Sequence, residues 1–344
     1  MLVNKVKLIN FRNFKEKEIS FSPRKNLLFG RNGSGKTSVL EALFLIAFGK
    51  SFLGVPKQEL IHDGQEEFSV RAELHQRRSH HIVTGSYGRA FRLNLNDQPT
   101  TIAELNDYFY PVFFSTLHQH PHSESRTSLR RMMDRFIFGV CALYLHYILR
   151  YNKALKQKNY LLKNSHRQVI QAEMGSWNKI LAETGVKIVE NRMSFIDKLN
   201  KEIESGFGGE VTLSYLPSLK FNALNAPAFL AAFEEMRDRE SESRMALTGP
   251  QRDRYEIRIS GKNLDHFSSG EKKKYLLMTY IAFIELFRKE KNEYPPLLID
   301  DYDAAIDELN LDFLINHFPQ MQIIATSVLN NDKFDQCIEL AKGA

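Results

Sequence analysis

The chain has 344 residues, 43% hydrophobic and 26% charged, a balance that excludes a disordered, collagen-like or free-standing coiled-coil protein and allows two domains or one with a large insertion. Lys and Arg outnumber Asp and Glu by 47 to 41, and the net charge of +6 favours acidic partners such as nucleic acid without identifying one. Two cysteines without CxxC spacing, Cys141 and Cys337, exclude a disulfide scaffold, and the longest apolar stretch, Val39 to Phe48, contains Glu41 and is too short to span a bilayer, so the expectation is a cytoplasmic protein.

In chain order, Leu2 to Phe11 alternates apolar and polar side chains and reads as a strand, followed by a second short apolar run at Leu27–Phe29. A glycine-rich stretch comes next, and from Ser38 to Phe48 apolar residues recur with helical spacing. Phe68 to Asp97 reads as antiparallel strands broken at Gly85, Gly88 and Asn96-Asp97. Between Arg126 and Phe207 the period becomes helical. Ile137, Val140, Cys141, Tyr144, Ile148, Tyr151 and Leu155 share one face, and a second periodic segment runs from Ile180 to Gly206, which predicts an antiparallel hairpin joined near Asn164–Gln168. Tyr144, Tyr147, Tyr151 and Trp177 are expected in the hairpin core. Strands return at Tyr255–Ile259 and Leu297–Ile299, so the helical block reads as an insertion between two halves of an α/β domain.

Three motifs carry chemistry. Gly30-Arg31-Asn32-Gly33-Ser34-Gly35-Lys36-Thr37, extended by Ser38, fits the phosphate-loop pattern G-x-x-x-x-G-K-[S/T] at every defined position. It follows a strand and opens a helix, so backbone N–H groups and the positive helix end would face a triphosphate. Lys36 would reach the β- and γ-phosphates and the Thr37 hydroxyl would ligate Mg²⁺. An apolar strand ending in Asp300-Asp301 supplies an acid, Asp300, to hold Mg²⁺ through water and a carboxylate, Asp301, to orient or deprotonate the attacking water; by itself the pair is equally a strand terminus with a turn-starting Asp. Ser268-Ser269-Gly270-Glu271 precedes an apolar helix. It is either a simple helix cap or a likeness of the signature loop of ATP-binding-cassette proteins, which grips the nucleotide held by the opposite subunit.

Charge is unevenly placed. Between Glu124 and Arg167 ten Lys and Arg stand against two acids, a local net of +8, so the remainder of the chain is slightly acidic. Arg130, Arg131, Arg150, Lys153 and Lys156 are candidate DNA contacts, the alternative being a solvated helix face or ion pairs. His118, His120 and His122, spaced by two in a Pro-containing segment, match no common zinc pattern.

Read together, these segments resemble the RecF family of SMC-like recombination-mediator ATPases of bacteria. Asn10-Phe11-Arg12-Asn13-Phe14 resembles that family's opening N-F-R motif, and Asn32 to Ala42 its nucleotide loop and following helix. Leu129 to Arg135, Arg150 to Asn159 and Leu247 to Asp253 are similar to its R-R-x-x-L-D, R-Y-N-x-x-L-x-Q-R-N and G-P-H-R-D elements. The resemblance implies an α/β fold, an ABC-ATPase-like head with an antiparallel β subdomain and an inserted helical lobe. Residues 1–118 with 245–344 would form the ATP-binding lobe and 119–244 the helical lobe. It implies ATP and Mg²⁺ as cofactors, Arg12 near the phosphates, Asp301 with Lys36 as the catalytic pair, and a homodimer in which Ser268 to Glu271 and Asp307 meet the partner's ATP. It further implies ATP-dependent DNA binding at gaps or single-strand to double-strand junctions, slow hydrolysis as a reset, and RecR and RecO as partners.

Several positions depart from the pattern: Gln251 for the family's His, Arg254 for an acid, Ser115-Thr116-Leu117-His118 for an S-P-E-D-like stretch, and Ala304-Ala305-Ile306-Asp307 for S-E-L-D. These leave open a weakened ATPase acting as a nucleotide-gated scaffold. A transporter-type ATPase subunit would share the nucleotide motifs but would carry a histidine where Ile324-Ala325-Thr326-Ser327 stands, and a P-loop kinase would not need Ser268-Ser269-Gly270.

Overall fold

The computed structural model describes residues 1–115, 125–164, 167–220 and 222–341. They divide into two compact units, Met1–His120 with Ser269–Ala344, and Pro121–Ser268. Thr116, Leu117, His118, His120 and His122 lie outside the described residues.

The first unit opens with β1 (Leu2–Phe11), whose alternation buries Val3, Val6, Leu8 and Phe11. It turns through Arg12-Asn13 into β2 (Phe14–Ser20), with which it pairs antiparallel. β3 (Lys25–Phe29) leads through the glycine loop into α1 (Lys36–Phe48). Unlike an amphipathic surface helix, α1 buries every residue from Val39 to Ala47, so it sits inside the core rather than upon it. β4 (Phe68–Gln76), β5 (Ser79–Tyr87), β6 (Phe91–Leu95) and β7 (Gln98–Pro99) complete a six-stranded antiparallel sheet of order β2-β1-β4-β5-β6-β7. A short α2 (Ile102–Leu105) and β8 (Val112–Ser115) close this half.

The second unit contains α3 (Ser125–Val140), α4 (Ala142–Asn164) and α5 (Arg167–Phe207). The helical face expected to run unbroken from Ile137 to Leu155 is divided at Cys141, where Gly139 and β-branched Val140 are poor helix formers. Helices α4 and α5 pack as the predicted hairpin, with α5 at 41 residues reaching about 60 Å. Tyr144 and Tyr151 are buried, whereas Tyr147 and Trp177 are only half-buried, so the single tryptophan is not the core anchor its uniqueness suggested. β9 (Val211–Leu216), α6 (Ala226–Glu235), α7 (Arg237–Ser243), β10 (Arg254–Ile259) and β11 (Lys262–Asn263) follow. Residues 245–268, assigned from sequence to the nucleotide lobe, belong to this unit instead, because β10 pairs antiparallel with β9 from Arg254↔Leu216 to Ile259↔Val211.

Arg192, 2% exposed, organises this unit. Its guanidinium donates to both oxygens of Asp134 (2.9 and 3.1 Å), to Asp253 Oδ2 (2.9 Å), to the Pro250 carbonyl (2.7 Å) and to the Tyr144 hydroxyl (2.9 Å). Burial opposes its charge, but Asp134 and the surrounding groups outweigh that penalty and raise its pKa, so it remains an ion. Asp253 also accepts from the Tyr215 hydroxyl and from Ser218 N–H (2.7 Å), and Gln251 accepts from the Tyr151 hydroxyl. A Gln in place of the family's His therefore keeps a polar partner here.

The chain returns to the first unit through α8 (Ser269–Lys291), β12 (Leu297–Asp300), α9 (Tyr302–Ala305), α10 (Glu308–His317), β13 (Ile323–Ser327) and β14 (Gln336–Glu339). These strands join β3 and β8 in an all-parallel sheet of order β14-β3-β13-β12-β8. Leu28, Leu298 and Ile324 of this sheet pack in one core with Val6, Leu8, Val70 and Val83 of the antiparallel sheet, and α1 fills the space between. Among the described residues no helix is long and apolar enough to cross a membrane.

Replacing Asp253 by Ala strands Arg192 with half its carboxylate partners. The second unit should lose about 3–5 kcal/mol in urea unfolding, and a loss below about 1 kcal/mol would show the pair to be dispensable.

Candidate nucleotide site

The carboxyl ends of β3, β12 and β13 converge, the position where parallel sheets present ligand sites. The loop after β3 needs glycine at two points for steric reasons. A Cβ on Gly30 (φ +144°) would stand 2.5 Å from the Leu340 carbonyl oxygen, and one on Gly35 (φ +98°) would stand 2.3 Å from Phe14 Cζ. At Gly30 and Gly35 the loop thus fits against the chain's C-terminal segment and β2 only without a side chain.

Lys36, 5% exposed, donates from Nζ to the carbonyls of Gly30 (2.8 Å) and Arg31 (3.1 Å), which holds the ammonium inside its own loop. Ser34 Oγ is buried with no hydrogen-bonding partner among the described residues. The loop borders an open cleft of 520 Å³ that Asn32, Gly33, Thr37, Ser38, Arg12 and Asp301 also line. A glycine cradle, a buried ammonium and an unpaired hydroxyl together fit a polyphosphate.

Thr37 Oγ1 donates to Asp300 Oδ1 at 3.0 Å across 263 residues of sequence. A hydroxyl and a carboxylate in contact are the oxygen donor set of a hard divalent cation. Burial raises the pKa of Asp300, and the neighbouring Asp301 adds to this, while hydrogen bonds from Thr326 and Thr37 and the charge of Lys36 act the other way. Asp301 is exposed at the cleft and adopts a left-handed backbone (φ 47°, ψ 62°).

Arg12 also has positive φ (53°) and is clamped in place. Its Nε and Nη2 donate to Glu41 at 2.7 and 2.9 Å, its Nη1 reaches the Glu59 carbonyl at 3.3 Å, and His62 Nδ1 lies 2.7 Å from its carbonyl oxygen. Glu41 is 1% exposed and also accepts from the Ser51 hydroxyl. The sequence pattern assigns no site role to Glu41, Ser51 or Thr326. The available signal was a charged residue at position 41 in an otherwise apolar helix.

The remaining predicted residues lie elsewhere. Ser268 ends the second unit, Ser269 begins α8, and Gly270 and Glu271 are exposed on its first turn; none of the four lines the cleft. Asp307 caps α10, accepting from Asn310 N–H at 2.9 Å, and is exposed. Ala304 presents its carbonyl to Lys273 at 2.5 Å.

In the helical unit not every cation of the +8 stretch is exposed. Lys158, counted in the +8 stretch, is buried in an ion pair with Glu240 at 2.7 Å. Arg130 is half-buried, donates to the Asp253 carbonyl at 3.2 Å, and has its pKa lowered by burial and by Arg192. Arg131, Lys153 and Lys156 are exposed, as is Arg150, 3.7 Å from Glu183. Arg126 and Arg167 have no described side chains.

The family model for the RecF/RecN/SMC N terminal domain matches residues 2–342. The DNA replication and repair protein RecF of Acetivibrio thermocellus is 30% identical over 342 residues, 95% of this chain and 93% of its own length. Its counterpart in Exiguobacterium sp. is 31% identical over 327 residues, 90% and 87% of the two chains. Among solved structures, the recombination mediator protein RecF with ATPrS, of the RecFOR pathway, superposes with a TM-score of 0.89 at 23% identity, covering 99% of this chain and 96% of that one. The Smc head domain of Pyrococcus furiosus bound to the C-terminal domain of ScpA has a TM-score of 0.52 at 16% identity, covering 100% and 94%.

Ala at position 35 should displace Phe14 or the loop itself and weaken binding of a fluorescent ATP analogue at least about tenfold; unchanged affinity would mean that the loop is not the phosphate cradle.

Proposed function

We propose, for a chain that belongs to the RecF/RecN/SMC N-terminal domain family, an ATP-dependent DNA-binding role in recombinational repair and replication restart in the cytoplasm. Binding of ATP would draw two copies together on DNA at gaps or single-strand to double-strand junctions, and slow hydrolysis would release them. The observation that carries the reading is the Thr37–Asp300 contact beneath the glycine loop, which joins the two halves of a nucleotide site from opposite ends of the chain.

Backbone N–H groups of Asn32 to Ser38 and the Lys36 ammonium would hold the phosphates, and Lys36 would leave its loop carbonyls for the β- and γ-oxygens. Thr37 and Asp300 would hold Mg²⁺, which offsets the charge of the phosphates. The Asp301 carboxylate, exposed at the cleft, would accept the proton of the attacking water. Arg12 is presented ready-made at the rim by Glu41. The exposed first turn of α8 and exposed Asp307 supply surface for a second copy's nucleotide, which supports an ATP-dependent homodimer. The pathway named for the RecF structure supports RecR and RecO as partners.

Exposed Arg131, Arg150, Lys153 and Lys156 are the cations of the inserted unit that fit a phosphate backbone. Arg130, taken up by the Asp253 carbonyl, is left out of that set.

Asp301→Asn should slow hydrolysis by about 10²-fold or more while ATP still drives dimer formation in sedimentation velocity; parent-like turnover would remove Asp301 from its role. Reversing Arg150, Lys153 and Lys156 together to Glu should weaken binding to gapped DNA and flatten its logarithmic salt slope by about 2 to 3, and an unaltered slope would place the DNA surface elsewhere.

A further inference from the structure

Strand order puts β13 between β3, which feeds the glycine loop, and β12, which ends in the two acids. The last buried positions of β13 therefore lie between the two halves of the cleft. Thr326, 0% exposed, occupies one of them. Its hydroxyl donates to Asp300 Oδ1 at 2.9 Å and accepts the Asp301 backbone N–H at 2.8 Å. Asp300 Oδ1 receives Thr37 Oγ1 at 3.0 Å as well, so Thr326, Asp300 and Thr37 form one chain of hydrogen bonds across three elements.

The contact to Asp301 is made at a residue of left-handed backbone. Asp301 is left-handed at φ 47°, ψ 62°, a conformation uncommon for residues with a Cβ but open to Asp, whose place here is held by hydrogen bonds on both sides. Its carbonyl accepts from Ala304 N–H at 3.1 Å and Ala305 N–H at 2.9 Å, which fixes the following turn, and the Thr326 hydroxyl fixes the other side of the residue. Next along β13, Ser327 Oγ donates to Asp303 Oδ2 at 3.1 Å, a second tie from the same strand end to the same turn.

We propose that Thr326 is a positioning residue for hydrolysis, its single hydroxyl setting Asp300 and Asp301 at once so that the Asp301 carboxylate is aimed into the cleft. This deepens the nucleotide reading above and rests on it. Binding of the phosphates is assigned to the loop and Lys36, which Thr326 does not touch, so its loss falls on the chemical step rather than on affinity.

The test measures equilibrium binding of an ATP analogue and single-turnover hydrolysis of ATP, both with Mg²⁺, on the parent chain, Thr326→Val and Thr326→Ser. Valine matches threonine in shape but can neither donate nor accept. Since a reacting group misplaced by about 1 Å loses up to about 10²-fold in rate, Thr326→Val should hydrolyse ATP about 10- to 100-fold more slowly with affinity within about threefold of the parent. Thr326→Ser, which restores the hydroxyl alone, should return to within about threefold of parental turnover. Equal hydrolysis in the parent and Thr326→Val, or a Thr326→Ser variant as slow as Thr326→Val, would overturn the inference. A parent chain that binds no ATP analogue would instead overturn the nucleotide reading itself.

Discussion

The nucleotide unit depends on one constraint: α1 is buried on every side. A helix that is apolar all round cannot rest on a surface, and the space between an antiparallel and a parallel sheet gives it two apolar walls. Its axis is thereby fixed relative to β3, β12 and β13. Since the glycine loop is the N-terminal continuation of α1, Lys36 and Thr37 inherit that position, and Thr37 meets Asp300 because helix and strand are parts of one core. Close packing reaches the sheet itself, for a Cβ on Gly85 of β5 would stand 2.8 Å from Ile46 Cγ2 of α1. The same helix carries Glu41, a carboxylate that burial would penalise heavily without the Arg12 guanidinium and Ser51 hydroxyl it receives. Arg12 at the rim and Thr37 at the floor of the cleft are thus held by one rigid element.

The elements with strong local signals were legible from sequence. Alternation in Leu2–Phe11, the glycine pattern at 30–37 and the apolar strand ending at Asp300 each state their own structure, and the relation among the last two follows from phosphate-loop chemistry. What escaped was set by tertiary packing. Nothing local to Thr326 distinguishes it from any buried threonine, because its role comes from the strand order that places β13 between β3 and β12. The assignment of 245–268 failed for a similar reason: Tyr255, Ile257 and Ile259 announce a strand but not its partner, and β9 lies in the inserted unit.

The charged stretch divides between the alternatives it allows. A stretch with net +8 suggested a basic surface, yet the helical unit spends part of that charge inside itself. Lys158 is matched by Glu240, and Arg130 leans on the Asp253 carbonyl beside an arginine that already holds Asp134 and Asp253. Glu240 and Asp253 lie outside the stretch that was summed, so a window along the chain could not register them. A buried cation requires a nearby anion, whereas an exposed one does not, and sequence distance carries no information about which applies. The cations left exposed in that stretch, Arg131, Arg150, Lys153, Lys156 and Lys163, are fewer, and their charge faces solvent.

The departure at Ala304-Ala305 and the strand end that faces the same turn have unequal consequences. Ala304 and Ala305 remove side-chain polarity from the turn, but the backbone there keeps its structural work: Ala304 and Ala305 N–H close on Asp301, and the Ala304 carbonyl takes Lys273. The turn therefore retains its shape while offering less to an apposed surface. By contrast, the strand end that holds Asp301 keeps its hydroxyls, Thr326 on the acids and Ser327 on Asp303. On the proposed reading, the loss of polarity in this turn would weaken contact with a second copy before it disturbed the geometry of Asp301. Weaker association with hydrolysis geometry preserved is the pattern this division of labour favours, and it differs from a scaffold that binds nucleotide but has given up hydrolysis.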